Sequence, residues 1–156
     1  MKPPKRKNIF VTILRQAKVH LHKIYYARGS AHEIALGAAI GAFWGVFPTF
    51  GLSTILSVLL YKVFRFNLVV AISAAFISNP LTSPFLLVLS FRIGLIFTHV
   101  KTTFDLNNWY SNLGEVGLTM LIGSFLLSFF TAIIVFMLTK YFIEKRRQLA
   151  TGKEHQ

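Results

Sequence analysis

The sequence of 156 residues contains no cysteine and only five acidic residues. Without cysteine, the chain has no disulfide bridge, no thiolate zinc site and no cysteine nucleophile. Charged residues make up 14% of the chain, whereas soluble domains carry about 25%. Hydrophobic residues make up 54%, and they include sixteen phenylalanines. This composition excludes a disordered chain and an ordinary soluble domain.

The basic residues concentrate at the two ends of the chain. Residues 1–28 carry eight lysines and arginines and no acid, and residues 140–156 carry five more basic residues. Between these ends lie three runs without any charged residue, at 34–61, 66–91 and 116–139. Each run is longer than the roughly 20 residues that a helix needs to cross a bilayer. The pattern predicts an all-α, multi-pass membrane protein, and it argues against nucleic acid as a partner.

The N-terminal segment is basic and amphipathic. Residues 8–27 place apolar side chains on one helical face and basic side chains on another. No small-residue cleavage site follows, so we do not expect a cleaved signal peptide. We predict a helix lying in the membrane interface, with a helix packed on the rest of the protein as the alternative. The expected organisation is a basic segment over 1–29, a helical membrane domain over 30–147 and a polar tail over 148–156.

The first uncharged run begins with a helix start signal. Ser30 and Glu33 have the spacing of a capping box, in which each side chain accepts a hydrogen bond from the other residue's amide. Beyond this cap, glycine recurs at every fourth position on one face of the helix, at Gly37, Gly41 and Gly45. In lipid, such a smooth stripe lets another helix approach closely.

Proline and glycine interrupt the first two uncharged runs. Proline removes a backbone donor from a helix interior, and glycine favours a turn. A helix over 52–64 should therefore follow the first interruption as the second arm of a tight hairpin, and a helix over 81–100 should follow the second. Paired, interrupted apolar segments of this kind can place unwound backbone at membrane depth. The residues expected to form the two breaks are Pro48, Gly51, Pro80 and Pro84.

A single arginine, Arg92, lies inside the apolar segment 85–97. An arginine near the centre of a bilayer costs roughly 2.5–3.5 kcal/mol on insertion scales, so its side chain should face protein, water or a phosphate, or should snorkel to an interface. Glu33 is its possible charge partner, unless the helix cap occupies that carboxylate. Two asparagines lie near helix ends, where they should act as caps or as ligands for a polar headgroup. The candidate residues for binding an anion or a lipid are Arg92, Asn79, Asn67 and Arg65.

Several motifs together resemble one bacterial membrane family, which is catalogued as domain of unknown function two-zero-six-two. They are the Pro-x-x-Gly element at the end of 34–51, the Arg-Phe-Asn of 65–67, the Asn-Pro element within 78–84 and the Phe-Arg-Ile-Gly of 91–94. The resemblance covers about residues 20–145. It implies a small inner-membrane protein, attached in some relatives to a glycosyltransferase domain, and it implies no established reaction.

No catalytic constellation is visible in the sequence. It holds no Ser/His/Asp set, no paired carboxylates and no phosphate-binding glycine loop, and we expect no enzyme activity, no metal and no cofactor. One remaining candidate function is to bind or translocate a lipid or another amphiphilic anion. The alternative is a non-catalytic accessory or scaffold protein for a membrane enzyme such as a glycosyltransferase. Membrane lipids are the expected partners, and association with a second copy stays open.

The distribution of basic residues also predicts a topology. Lysine and arginine accumulate on the cytoplasmic side of membrane proteins. Because both ends of the chain are basic, we expect a multi-pass inner-membrane protein with both termini in the cytoplasm. The hairpin of the first run should then return to its starting side, and the segment near Asp105 should lie outside.

Overall fold

The computed structural model describes residues 15, 16, 18–20, 22–24, 26–49, 51–76, 82–98 and 113–151. All regular structure among them is helical, with no strand, so the all-α prediction is confirmed. We call the described helical residues between 15 and 24 helix α1. The other helices are α2 (Ala31–Val46), α3 (Ser53–Tyr61), α4 (Leu68–Ala75), α5 (Ser83–Phe97) and α6 (Leu113–Thr151).

The predicted capping box at the start of α2 is confirmed. The Glu33 amide donates to the Ser30 hydroxyl at 3.0 Å, and the Ser30 amide donates to the Glu33 carboxylate at 2.8 Å. These two bonds satisfy amides that the helix itself leaves without a partner.

Three helix ends differ from the sequence expectation by a few residues. Helix α3 stops at Tyr61, because residues 62–64 form a turn. Helix α5 begins at Ser83 with Pro84 in its first turn, where proline is tolerated. Helix α6 continues to Thr151, through residues 148–151 that the sequence assigned to the polar tail. Gln148, Leu149 and Ala150 have good helix propensity, which explains this extension.

The glycine stripe of α2 lies directly against α4, so the predicted close helix approach is confirmed. A Cβ atom at Gly37 would lie 2.5 Å from the Asn67 carbonyl oxygen, and one at Gly41 would overlap the carbonyl oxygen of Ala71. The third glycine of the stripe meets α4 one turn further along, at Ala75. Because each glycine contacts the residue thirty positions later, α2 and α4 run parallel. Helix α3 therefore carries the chain back between them.

Helix α6 runs antiparallel to α2. The ring of His32, at the start of α2, packs against Phe136 with centroids 5.5 Å apart, whereas Phe43 near its end packs against Phe125 at 6.0 Å. A cluster of buried apolar side chains lies where three helices meet, and it includes Ile34, Val70 and Ile143.

A second close helix contact joins α5 and α6. A Cβ atom at Gly94 would overlap the carbonyl oxygen of Thr119, and one at Gly123 would overlap that of Ser90. The two helices are therefore antiparallel. The hydroxyl groups of Thr98 and Thr119 lie 2.8 Å apart at the end of this contact.

Helix α1 contacts the other helices. Ile24 and Ala27 pack against the core residues Ile34 and Val70. The His20 ring stacks on Phe76, just beyond the end of α4, with centroids 4.2 Å apart. The N-terminal helix therefore packs on the rest of the protein, and its position in the membrane interface stays a prediction.

Burial in this molecule is inverted relative to a soluble protein. Many of the fully buried side chains are small or carry a hydroxyl, and large apolar side chains lie outside, including Phe85, Phe130 and Ile96 at 70%, 60% and 75% exposure. Among the described residues, α6 alone is long and apolar enough to cross a membrane, as judged by length and composition. Helices α2 and α5 are apolar but shorter.

Candidate anion-binding site

A pocket with a volume of about 630 Å³ lies where α2 begins, α3 ends and α4 begins. We call it the basic pocket. Three of its side chains are cationic and one is anionic, and several of the others are apolar. Its lining consists of Arg28, Glu33, Tyr61, Lys62, Arg65, Phe66, Asn67, Leu68 and Val69. The fold thus brings together cations that are up to 37 positions apart in the sequence.

Asn67 connects the start of α4 to the start of α2 through hydrogen bonds. Its backbone amide donates to the Glu33 carbonyl at 3.0 Å, and its side-chain amide donates to the Arg28 carbonyl at 2.7 Å. Its side-chain oxygen accepts from the Val70 amide at 3.0 Å and caps α4, as the sequence predicted. The bond to Arg28 was not predicted. These bonds fix the backbone that carries two of the three cations.

Phe66 anchors the connection between α3 and α4. It is only 4% exposed, and its ring meets Tyr61 edge-to-face at a centroid distance of 5.6 Å. Because Phe66 points inward and Asn67 caps the next helix, the preceding residue Arg65 is left exposed at the rim of the pocket. Lys62, which ends α3, is exposed beside it.

Among the described residues, the cations of the basic pocket form no salt bridge. A salt bridge elsewhere in this part of the chain joins Lys140 and Glu144 at 4.0 Å. Glu33 contributes the one negative charge. Its carboxylate accepts hydrogen bonds from Ser30, and these bonds, with a smaller contribution from Arg65 and His32, lower the pKa of Glu33. By formal charge, the pocket holds three positive side chains and one negative side chain. Within the described part of the chain, no three His, Asp or Glu side chains could together hold a metal ion.

A second cavity, of about 270 Å³, lies at the far end of α2. The connection between α2 and α3 lines one side of it through residues such as Gly45, Pro48 and Gly51, and the first turns of α5 line the other side from Ser83 onward. The first expected interruption lines this cavity, whereas of the second only Ser83 does so among the described residues. We call it the turn cavity. Asn79 and Pro80 lie outside the described residues.

Arg92 lies apart from both cavities. It is exposed on α5, on the opposite side of the helix from Ser90 and Gly94, which contact α6. Its neighbours on the same face are the exposed residues Val88 and Ile96. No salt bridge joins Arg92 to Glu33, whose carboxylate takes part in the capping box. Of the four candidate residues, the structure brings Arg65 and Asn67 together and places Arg92 elsewhere.

A family model for uncharacterized proteins conserved in bacteria, DUF2062, matches residues 14–151. The chain belongs to this family. The resemblance seen in the sequence motifs is thereby confirmed, and the DUF2062 match includes the basic pocket, the turn cavity and Arg92. Comparison with curated proteins and with solved structures finds no match.

The sequence analysis missed Arg28 and Lys62 as members of the site. A signal for them was present, because Arg28 precedes the first uncharged run and Lys62 follows it. A hairpin that returns to its starting side brings the two flanks of such a run together. The sequence does not show that α4 packs beside α2. This contact brings Arg65 into the same pocket as Arg28 and Lys62.

Proposed function

We propose that the chain is a multi-pass protein of the bacterial inner membrane, with the uncharged parts of α2–α6 in the bilayer and both termini in the cytoplasm. The inverted burial supports this location, because lipid is as apolar as leucine and leaves packing to small residues. Exposed apolar surface of this extent on a monomer would otherwise mark a large binding interface. The two basic ends support the cytoplasmic termini.

In this arrangement the basic pocket lies at the cytoplasmic boundary of the bilayer. Helix α2 begins beside Phe136, near the end of the uncharged run of α6, and Arg147 donates to the carbonyl of Gly29 just before α2. Lys140 follows Phe136 by about one helical turn. The turn cavity lies at the other end of the 16-residue α2, about 24 Å away along the helix axis.

We infer that the basic pocket binds the anionic headgroup of a membrane lipid. The observation that carries this function is the combination of Arg28, Lys62 and Arg65 with exposed apolar side chains in one pocket. Arginine presents a planar fork of donors that matches phosphate oxygens. Exposed apolar neighbours such as Val69 would lie against the first carbons of the acyl chains. An amphiphilic anion satisfies both parts of this lining, whereas a water-soluble anion satisfies the charged part alone.

Native mass spectrometry of the protein released from lipid nanodiscs tests this function. The pocket variant carries Arg28→Gln, Lys62→Gln and Arg65→Gln, and its matched control carries Arg15→Gln, Lys18→Gln and Lys145→Gln, with the same change of net charge. We expect the wild-type protein and the control to retain anionic lipid. The pocket variant should retain at least tenfold less of it, which corresponds to about 1.4 kcal/mol of binding free energy. Equal loss from both variants would mean that overall charge, and not the pocket, holds the lipid.

Arg92 provides a second comparison in the same experiment. The variant Arg92→Gln should retain lipid as wild type does, because Arg92 lies apart from the basic pocket. Lipid loss with Arg92→Gln alone would move the site to α5. Unchanged retention in every variant would contradict lipid binding at the basic pocket and leave the alternative of a non-catalytic accessory or scaffold protein for a membrane enzyme.

A further inference from the structure

The basic pocket has more positive charge than a singly charged lipid can neutralise. Arg28, Lys62 and Arg65 line it together with Glu33, which leaves a formal charge of +2. The Glu33 carboxylate already accepts the Ser30 amide at 2.8 Å and belongs to the helix cap. It is therefore not free to pair with all three cations. At a membrane boundary an uncompensated charge costs more than in water, because the local dielectric constant is lower.

The three cations of the basic pocket are carried by three separate segments of the chain. Arg28 comes from the segment before α2, Lys62 from the end of α3, and Arg65 from the connection to α4. Asn67 ties the first of these segments to the last through its 2.7 Å bond to the Arg28 carbonyl. A headgroup with few acceptor oxygens would leave some of these three cations without a hydrogen-bond partner.

We propose that the basic pocket selects a terminal phosphate, a phosphate monoester with two negative charges, over the singly charged phosphodiester of ordinary anionic phospholipids. This inference rests on the proposed function. A terminal phosphate carries about −1.5 to −2 charges near neutral pH and exposes three acceptor oxygens. A phosphodiester buried between two ester groups exposes two oxygens and carries one charge. The terminal group therefore matches both the charge and the number of cations.

The test compares two lipids with identical acyl chains, phosphatidic acid and phosphatidylglycerol, at equal mole fraction in phosphatidylcholine nanodiscs with the full chain. At pH 8 we expect at least about tenfold more retained phosphatidic acid, or about 1.4 kcal/mol. At pH 5.5 the preference should shrink to a few-fold, because a phosphate monoester regains a proton near pH 6. Retention of phosphatidylglycerol should change little over this range.

A pH dependence could also arise from titratable or charged groups of the protein at the pocket. They are Arg28, Glu33, Tyr61, Lys62 and Arg65. His32 precedes Glu33 on α2, outside the pocket lining, and its ring packs against Phe136. His32 is adjacent to Glu33 in the sequence, and replacing it tests whether the pH dependence belongs to the ligand. The variant His32→Gln should show the same loss of preference as wild type.

The outcomes separate this inference from the proposed function. Equal retention of the two lipids at pH 8, with loss of both in the pocket variant, would overturn the selectivity and leave lipid binding intact. Retention of neither lipid would overturn both. Displacement of phosphatidic acid by an equal concentration of inorganic phosphate would support recognition of the terminal phosphate and contradict a lipid as its source. The single variants Arg65→Gln and Arg65→Lys keep the test valid if the triple variant does not fold, because Arg65→Gln should weaken the preference and Arg65→Lys should largely keep it.

Discussion

Asn67 uses its backbone amide and both polar atoms of its side chain to join two helices at the basic pocket. The sequence predicted part of this role, because an asparagine before an apolar run is a common helix cap. The bond to the Arg28 carbonyl could not be predicted, since it joins residues 39 positions apart through the packing of α2 on α4. For the same reason the sequence placed Arg65 and Asn67 near a polar ligand but grouped them with Arg92, which lies apart from them in the structure.

Substitution of Asn67 separates its two roles. Asn67→Ala removes the cap, which typically contributes about 1 kcal/mol, and the bond to Arg28, which contributes about 1 kcal/mol more. Asn67→Ser keeps a cap acceptor and loses the bond to Arg28. We expect thermal unfolding in a non-ionic detergent to show a loss of about 2 kcal/mol for the first variant and about 1 kcal/mol for the second. Wild-type stability in Asn67→Ser would show that the bond to Arg28 contributes nothing.

At the scale of the elements, two helix pairs pack backbone against backbone, α2 on α4 and α5 on α6. The glycine stripe of α2 was predicted from its spacing, but its partner was not, because a smooth face fits any helix that presents a complementary surface. The contact between α5 and α6 was missed. Its signal is weaker, since Ser90, Gly94 and Thr98 repeat at every fourth position with mixed small residues. In both contacts the backbone of the partner helix occupies the space of the missing side chain.

An alanine at Gly41 tests the first of these contacts. Its Cβ atom would overlap the Ala71 carbonyl oxygen and lie 2.8 Å from the Ala74 side chain, so α2 and α4 would have to separate. Gly117 is the matched control, because a Cβ atom there meets nothing within 4 Å. We expect Gly41→Ala to lower the free energy of unfolding by about 1–3 kcal/mol. Gly117→Ala should be neutral or stabilising by up to about 1 kcal/mol. Equal stability of the two variants would contradict the close approach of α2 to α4.

For the whole molecule, composition predicted more than any motif did. The uncharged runs predicted helices and a membrane environment, and the structure has helices with small residues inside and large apolar residues outside. The absence of charge alone does not show how the chain divides within the runs, and the positions of proline and glycine were needed to predict it. The first run holds two helices, α2 and α3, and the second run holds α4 and the first part of α5. The direction of one helix relative to another depends on which helix faces meet. The contacts of α2 with α4 and α6 fix these relative directions.

The absence of cysteine makes the membrane topology directly testable. Single variants Lys62→Cys, Asp105→Cys and Lys153→Cys each introduce one thiol at a predicted aqueous position, and Ser57→Cys introduces one at a fully buried position. With a membrane-impermeant maleimide, intact spheroplasts should label the cysteine at 105 alone, because the antiparallel helices α5 and α6 end and begin, respectively, at the side opposite the basic residues of α6. Inverted vesicles should label the cysteines at 62 and 153, and the buried cysteine at 57 should react only after denaturation. Labelling at 62 from the periplasmic side would place the basic pocket on the outer face of the membrane and overturn the topology on which its access to cytoplasmic-leaflet lipid depends.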